Sequence, residues 1–219
     1  MLITMTHASA PELSVLHAVR VSGVADEAAV SRRTGIDLDT ASELLGDFEA
    51  YGWVTHVEFA GTSGWTLTER GRAQDSRKLG EELDQTGARA TVEQAHKEFE
   101  TLNGRLVRAC TDWQLRPVEG DRLTSNDHSD PQWDGRVLDE LTAIGAELTR
   151  LTGVLASALS RFDGYADRFD AALARGRAGD GRWVTGVGVA SCHAVWMELH
   201  EDLLSTLGIA RGAAEPGSR

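Results

Sequence analysis

Two stretches of this chain gather residue types that do chemistry. "NDHSDPQWD" holds Asn126, Asp127, His128, Asp130, Trp133 and Asp134, and "SCHAVWMELHED" holds His193, Trp196, His200 and Glu201. On a helix His193, Trp196 and His200 stand at i, i+3 and i+7, so two imidazoles flank an indole on one face. An aromatic wall between hydrogen-bonding groups suits a small-molecule pocket, and Asn126, His128, Trp133, His193, Trp196 and His200 are its candidate lining. A plainer account also fits: Asn126, Ser129 and Asp130 cap a helix, His128 is exposed, and Trp196, Leu199 and Leu203 face a core. A metal ion held by His128, His193, His200 and a carboxylate is not expected. His193 and His200 lie two turns apart, about 10.5 Å along the axis, and the i, i+4 pair of HExxH is missing. Ser191, Cys192 and His193 are consecutive, point to different faces of a helix and make no triad. With no GxSxG, P-loop or GxGxxG after a strand, the chain reads as a non-enzyme that needs no cofactor.

A second set of residues could meet nucleic acid. Thr40, Ala41 and Ser42 are small enough to approach base edges, where a hydroxyl can donate or accept. Arg32, Arg33, Arg70 and Arg72 could hold phosphates. Their surroundings oppose this role: "DLDTASELLGDFEAYGWV" carries Asp39, Glu43, Asp47 and Glu49 without one Lys or Arg. Between Glu12 and Asp75 five arginines face eleven acids, and "FAGTSG" offers no charge to a minor groove.

The whole chain repeats that balance, with 22 Lys and Arg against 34 Asp and Glu in 219 residues and a formal charge of -12. Such a charge repels nucleic acid and anionic membranes, so DNA contact requires a local patch. Lys78 and Lys97 are the only lysines. The two cysteines, Cys110 and Cys192, sit in apolar helical patterns without a CxxC pair, which reads as buried free thiols. No apolar run is long enough to span a membrane, and the N-terminus lacks the basic and apolar regions of a signal peptide, so a cytoplasmic location is expected.

The elements that must position these residues follow from periodicity and punctuation. "ELSVLHAVRV" predicts a first short helix stopped by Gly23, "ADEAAVSRRTG" a second between Asp26 and Gly35, and "DLDTASELLGDFEAYG" a third capped by Asp37 or Asp39 and stopped by Gly52. "WVTHVEF" and "GWTLT", joined by "AGTSG", predict a two-stranded hairpin. "TERGRAQDSRKLGEELDQTG" follows as a polar helix. "VEQAHKEFETLNGRLVRACTDW" is apolar at Val92, Ala95, Phe99, Leu102, Leu106, Ala109 and Trp113, every three or four residues. "QLRPVEGDRLTSNDHSD" is a long loop of the kind that often carries function. Asp130 and Pro131 then open the longest helix, with an apolar stripe from Trp133 to Phe162 that reads mainly as core. "YADRFDAALARGRAGDG" predicts a shorter helix, and "WVTGVGVASCHAVWMELHEDLLSTLG" a final one ending at Gly208.

Three helices, a hairpin and another helix are the order of a winged helix-turn-helix. "LLGDFEAYGWV" followed by "GWTLTERGRA" resembles the third helix, first strand and "LTxxGR" second strand of MarR-like bacterial winged-helix regulators, over about residues 12 to 80. In that family the glycine matched by Gly71 belongs to the turn from wing to next helix. The helical portion resembles, more faintly, the C-terminal region of actinobacterial winged-helix proteins through "CTDWQLRP", "NDHSDP" and "ELHEDLL". Some such modules accompany phosphoenolpyruvate-utilising enzymes.

The expected architecture is mainly α: a winged helix-turn-helix with a two-stranded wing over 1–80, an all-helical dimerisation or effector domain over 81–210, and a disordered tail over 211–219. The resemblance implies a cytoplasmic homodimeric transcriptional regulator that binds double-stranded DNA and responds to a small-molecule effector in the helical domain. The alternative is a winged-helix interaction or sensor module that does not bind DNA, accessory to a phosphoenolpyruvate-utilising enzyme.

Overall fold

The computed structural model describes residues 6–59, 61–117 and 123–210. The expected disordered tail, and part of the long loop before the longest helix, lie outside the described residues. The chain is mainly helical, with a small two-stranded antiparallel sheet. Among the described residues no helix is long and apolar enough to cross a membrane.

Helix α1 (Pro11–Ser22) begins on a proline, whose missing N–H is not needed in a first turn, and stops at Gly23. Helix α2 (Glu27–Thr34) is opened by the Asp26 carboxylate, which accepts the Ala29 N–H, and closed by Gly35 in the left-handed conformation. Helix α3 (Leu38–Ala50) is capped by Asp37, which accepts the Thr40 N–H at 2.9 Å. Ala41, Leu45 and Phe48 from α3 join Leu16 and Val19 from α1, and Val30 from α2, in one core. Strands β1 (Val54–Phe59) and β2 (Thr62–Leu67) pair from Val54 opposite Leu67 to Phe59 opposite Thr62. The hairpin is therefore longer than the sequence suggests, since most of "AGTSG" is strand rather than turn. A third segment joins its edge: Ala25 and Trp65 exchange backbone hydrogen bonds of 3.0 and 2.8 Å. Gly64 permits this, because a Cβ there would lie 2.7 Å from the Ala25 carbonyl carbon.

Helix α4 (Glu69–Thr86) is capped by Thr68, whose hydroxyl accepts the Gly71 N–H at 3.0 Å and donates to the Gly52 carbonyl at 2.7 Å. Gly71 is thus inside the first turn of α4 rather than in the connecting turn. It must be glycine because a Cβ would fall 1.9 Å from the Trp53 carbonyl oxygen. Helices α5 (Arg89–Gln114), α6 (Pro131–Ala158) and α7 (Tyr165–Arg177) follow, with a 3-10 turn at Ser160–Phe162. The α6 stripe is core, with Leu141, Ile144, Leu148 and Leu155 almost without exposure.

The final expected helix is two. A single turn, α8 (Arg182–Thr185), is separated from α9 (Cys192–Leu207) by an irregular segment. Gly186 leaves the helix with extended backbone and Gly188 takes positive φ, so the chain must restart. Ser191 restarts it by accepting the Ala194 N–H.

The chain divides into two compact units, and the division is not the one read from the sequence. One unit runs up to Val92 and takes back Ser157–Arg161 and the chain from Glu201 onward; the other is Glu93–Ala156 with Phe162–His200. The first unit includes the end of α9 because buried side chains of α1 pair with it, as described next.

Candidate functional site

In the first unit, α3 presents a face that can be read residue by residue. Leu38, Asp39, Ser42, Glu43, Gly46, Asp47 and Glu49 are exposed, whereas Ala41 is fully buried. The expectation that Ala41 would approach a base edge is therefore corrected: its methyl group fills the core, leaving Ser42 exposed and Thr40 half-buried. Arg32, Arg70 and Arg72 are exposed and Arg33 is half-buried. The Asp37 carboxyl is held below its usual range by the Thr40 hydrogen bonds, so it stays ionised at the start of α3. Trp65 on the hairpin donates its indole N–H to Glu27 at 2.8 Å and meets the His56 ring edge-on at 5.1 Å.

The same unit holds an ionic network that composition does not reveal. His17 on α1 is buried between two carboxylates, with Nδ1 3.3 Å from Asp75 Oδ1 and Nε2 3.0 Å from Asp202 Oδ1. Burial alone pulls the imidazole pKa down, but Asp75 and Asp202 outweigh it and raise it from 6.5 to about 9. The imidazolium thus donates from both ring nitrogens at neutral pH. Arg20, one turn on, donates to Asp75 at 3.0 Å, to the Ser76 hydroxyl at 2.9 Å and to Glu201 at 3.1 Å. Arg161 completes the set by pairing with Glu82 and donating to Thr206 at 2.8 Å. Every charge in this group is used within the protein, so the network orders α1, α4 and the end of α9 and leaves no cation here for an external anion.

In the second unit, the six residues expected to line one pocket are held in different ways. Asn126 is buried and its amide donates to the Trp113 carbonyl at 3.1 Å and to Asp134 at 2.9 Å. His128, in the left-handed region at φ 58°, places Nδ1 3.0 Å from Asp134 and its ring 4.6 Å from that of Trp113. These two residues shape the entry to α6. Trp133 donates its indole N–H to the Asp112 carbonyl and lines a cleft of about 240 Å³ with Arg105, Arg108, Asp112, Arg136 and Glu140. Arg105 is committed to Glu140 and Glu147 at 2.7 Å each.

On α9, Trp196 is fully buried, stacks on Phe99 at 4.5 Å and donates to Asn103 at 3.0 Å. The expectation that it walls a pocket is corrected, since both faces and its N–H are consumed by the core. His193 is half-buried. His200 turns toward α5, with Nε2 3.2 Å from Glu100. Sequence reasoning passed over Glu100 and its neighbour His96, although "HKEFE" sets them at i, i+4 on one helix face.

Cys110 and Cys192 are free and buried, and burial pushes their thiols up to about 11 and about 12, which makes them inert near neutral pH. No family model, no curated protein and no solved structure matches this sequence.

Proposed function

We propose that the chain is a winged-helix transcriptional regulator that binds double-stranded DNA, as a homodimer, through α3 and the arginines flanking it. The observation that carries this reading is the third segment at Ala25, bonded to Trp65 on the hairpin edge. Helix, short strand, two helices and a wing is the order by which winged helices seat their third helix in the major groove. Ser42 and Thr40 then face base edges, and Arg32, Arg70 and Arg72 meet phosphates. The effector half of the proposal rests on the cleft at Trp133, where an indole lies beside Arg108 and Arg136 and suits an anionic small molecule.

One observation favours a second reading. The exposed side of α3 carries Asp39, Glu43, Asp47 and Glu49, a charge that repels phosphate and attracts a basic protein surface. On that reading the module is an interaction or sensor domain that has lost DNA affinity. Fluorescence anisotropy with duplex from the upstream region of its own gene separates the two. Binding at low salt that weakens steeply as salt is raised supports the regulator; no binding even at low salt rejects it in favour of the interaction module.

A further inference from the structure

We propose that His96, Glu100 and His200 form a binding site for a divalent transition-metal ion, with a donor set that suits zinc. His96 and Glu100 stand one turn apart on α5, and His200 comes from α9. The spacing that excludes a metal between His193 and His200 does not apply, because two of the three donors belong to another helix. Glu100 Oε1 lies 3.2 Å from His200 Nε2 and 3.8 Å from His96 Nε2, and the three donor atoms are all within 4.8 Å of one another.

Ligands about 2.0–2.2 Å from a tetrahedral zinc ion are separated from each other by roughly 3.3–3.5 Å. Glu100 and His200 already have that separation; His96 Nε2, 3.8 Å from Glu100 and within 4.8 Å of the His200 donor, closes the set by a rotamer adjustment of about an ångström. Two imidazoles and a carboxylate suit zinc, cobalt or ferrous iron, whereas magnesium and calcium prefer oxygen throughout.

The second line of argument is His96 itself. The residue is 8% exposed, and its Nε2 is buried with no hydrogen-bond partner. Buried ring nitrogens are nearly always satisfied, and at 3.8 Å the Glu100 oxygen is too far to satisfy this one. That nitrogen lies 3.8 Å from the carboxylate, a separation that an ion bound to both would bridge. The third donor is well supported, because the Phe99 ring packs 5.1 Å from the His200 ring and stacks on Trp196, which is tied to Asn103. Such outer contacts fix the orientation of a ligand and raise affinity. Glu100 is half-exposed, which gives an ion a path from solvent and leaves its fourth position to water.

The test is zinc titration of the untagged full chain by calorimetry, with cobalt(II) absorption as a direct view of the coordination. One ion per chain and a visible cobalt band are expected. Glu100→Gln keeps the shape of a half-exposed side chain and should weaken zinc at least ~10-fold with an unchanged circular dichroism spectrum, as should His200→Ala. His128→Ala, in another cluster, should bind as the parent does. Excess magnesium should leave the cobalt band intact. Failure of the parent to bind zinc, parent-like affinity in either variant, or displacement of cobalt by magnesium overturns the site.

Discussion

Raising the pH should strip a large part of the first unit's stability, and His17 sets the amount. Its pKa is 6.5 in an unfolded chain and about 9 when folded. Between those values the folded protein keeps a proton that the unfolded chain has released. The unfolding free energy therefore falls with a slope of about 1.4 kcal/mol per pH unit. Over the window the loss comes to about 3 kcal/mol, a large share of the stability of an ordinary domain. The contribution is fully present below pH 6.5 and is lost as pH rises through 9. Urea unfolding in buffers from pH 6 to 9, followed by circular dichroism, measures it directly. His17→Gln removes the titrating group and leaves buried Asp75 and Asp202 without their shared cation, so it should be destabilised at pH 6 and flatter across the window. The two buried thiols also favour lower pH, but only above about 9, where unfolded cysteine ionises, and they are common to both proteins. A parent profile with no fall between pH 6.5 and 9, or a His17→Gln profile with the same slope, would refute the assignment of a doubly bonded imidazolium.

Gly71→Ala should cost about 3 kcal/mol or more in thermal or urea unfolding, because its methyl group would meet the Trp53 backbone carbonyl, which cannot rotate away. Trp196→Ala should lose about 3–5 kcal/mol, since it empties a fully buried site; a variant that unfolds like the parent would contradict the core role given to the indole. If duplex DNA is bound, Arg32→Ala should weaken it alike for every sequence and flatten the salt dependence. Ser42→Ala should change preference among sequences, and unchanged affinity in both would remove α3 as the reading surface. Asp47→Lys, which reverses a charge on the exposed face of α3, should tighten DNA binding at low salt; no change in anisotropy would mean this face does not approach phosphate.

Local signals were legible where the chain governs itself. Asp26, Gly35 and Gly208 mark helix ends because capping is a matter of a few neighbouring backbone groups, and Asp37 needed only the choice between two adjacent acids. The hairpin was legible in kind but short in extent, because Thr62, Ser63 and Gly64 of "AGTSG" are strand through their backbone pairing with Phe59, Glu58 and Val57, which small turn-type residues do not announce. Apolar periodicity ran through Gly186 and Gly188 and so merged two helices into one. Gly71 announced itself as special, but only the close approach to Trp53 shows why. In the candidate site, the types of residue were visible and their partners were not. His200 stood out beside Trp196 on its own helix, whereas its carboxylate partner comes from a helix a hundred residues earlier, and one-dimensional spacing cannot register that meeting.

The pairing of His17 with Asp202 spans 185 residues of sequence. A ribosome must therefore deliver the chain through Asp202 before α1 can acquire that partner. Until then His17 and Arg20 of α1 have only the α4 side of the network, Asp75 and Ser76, to pair with. The order of synthesis thus makes the end of α9 the step that completes the unit built around α1.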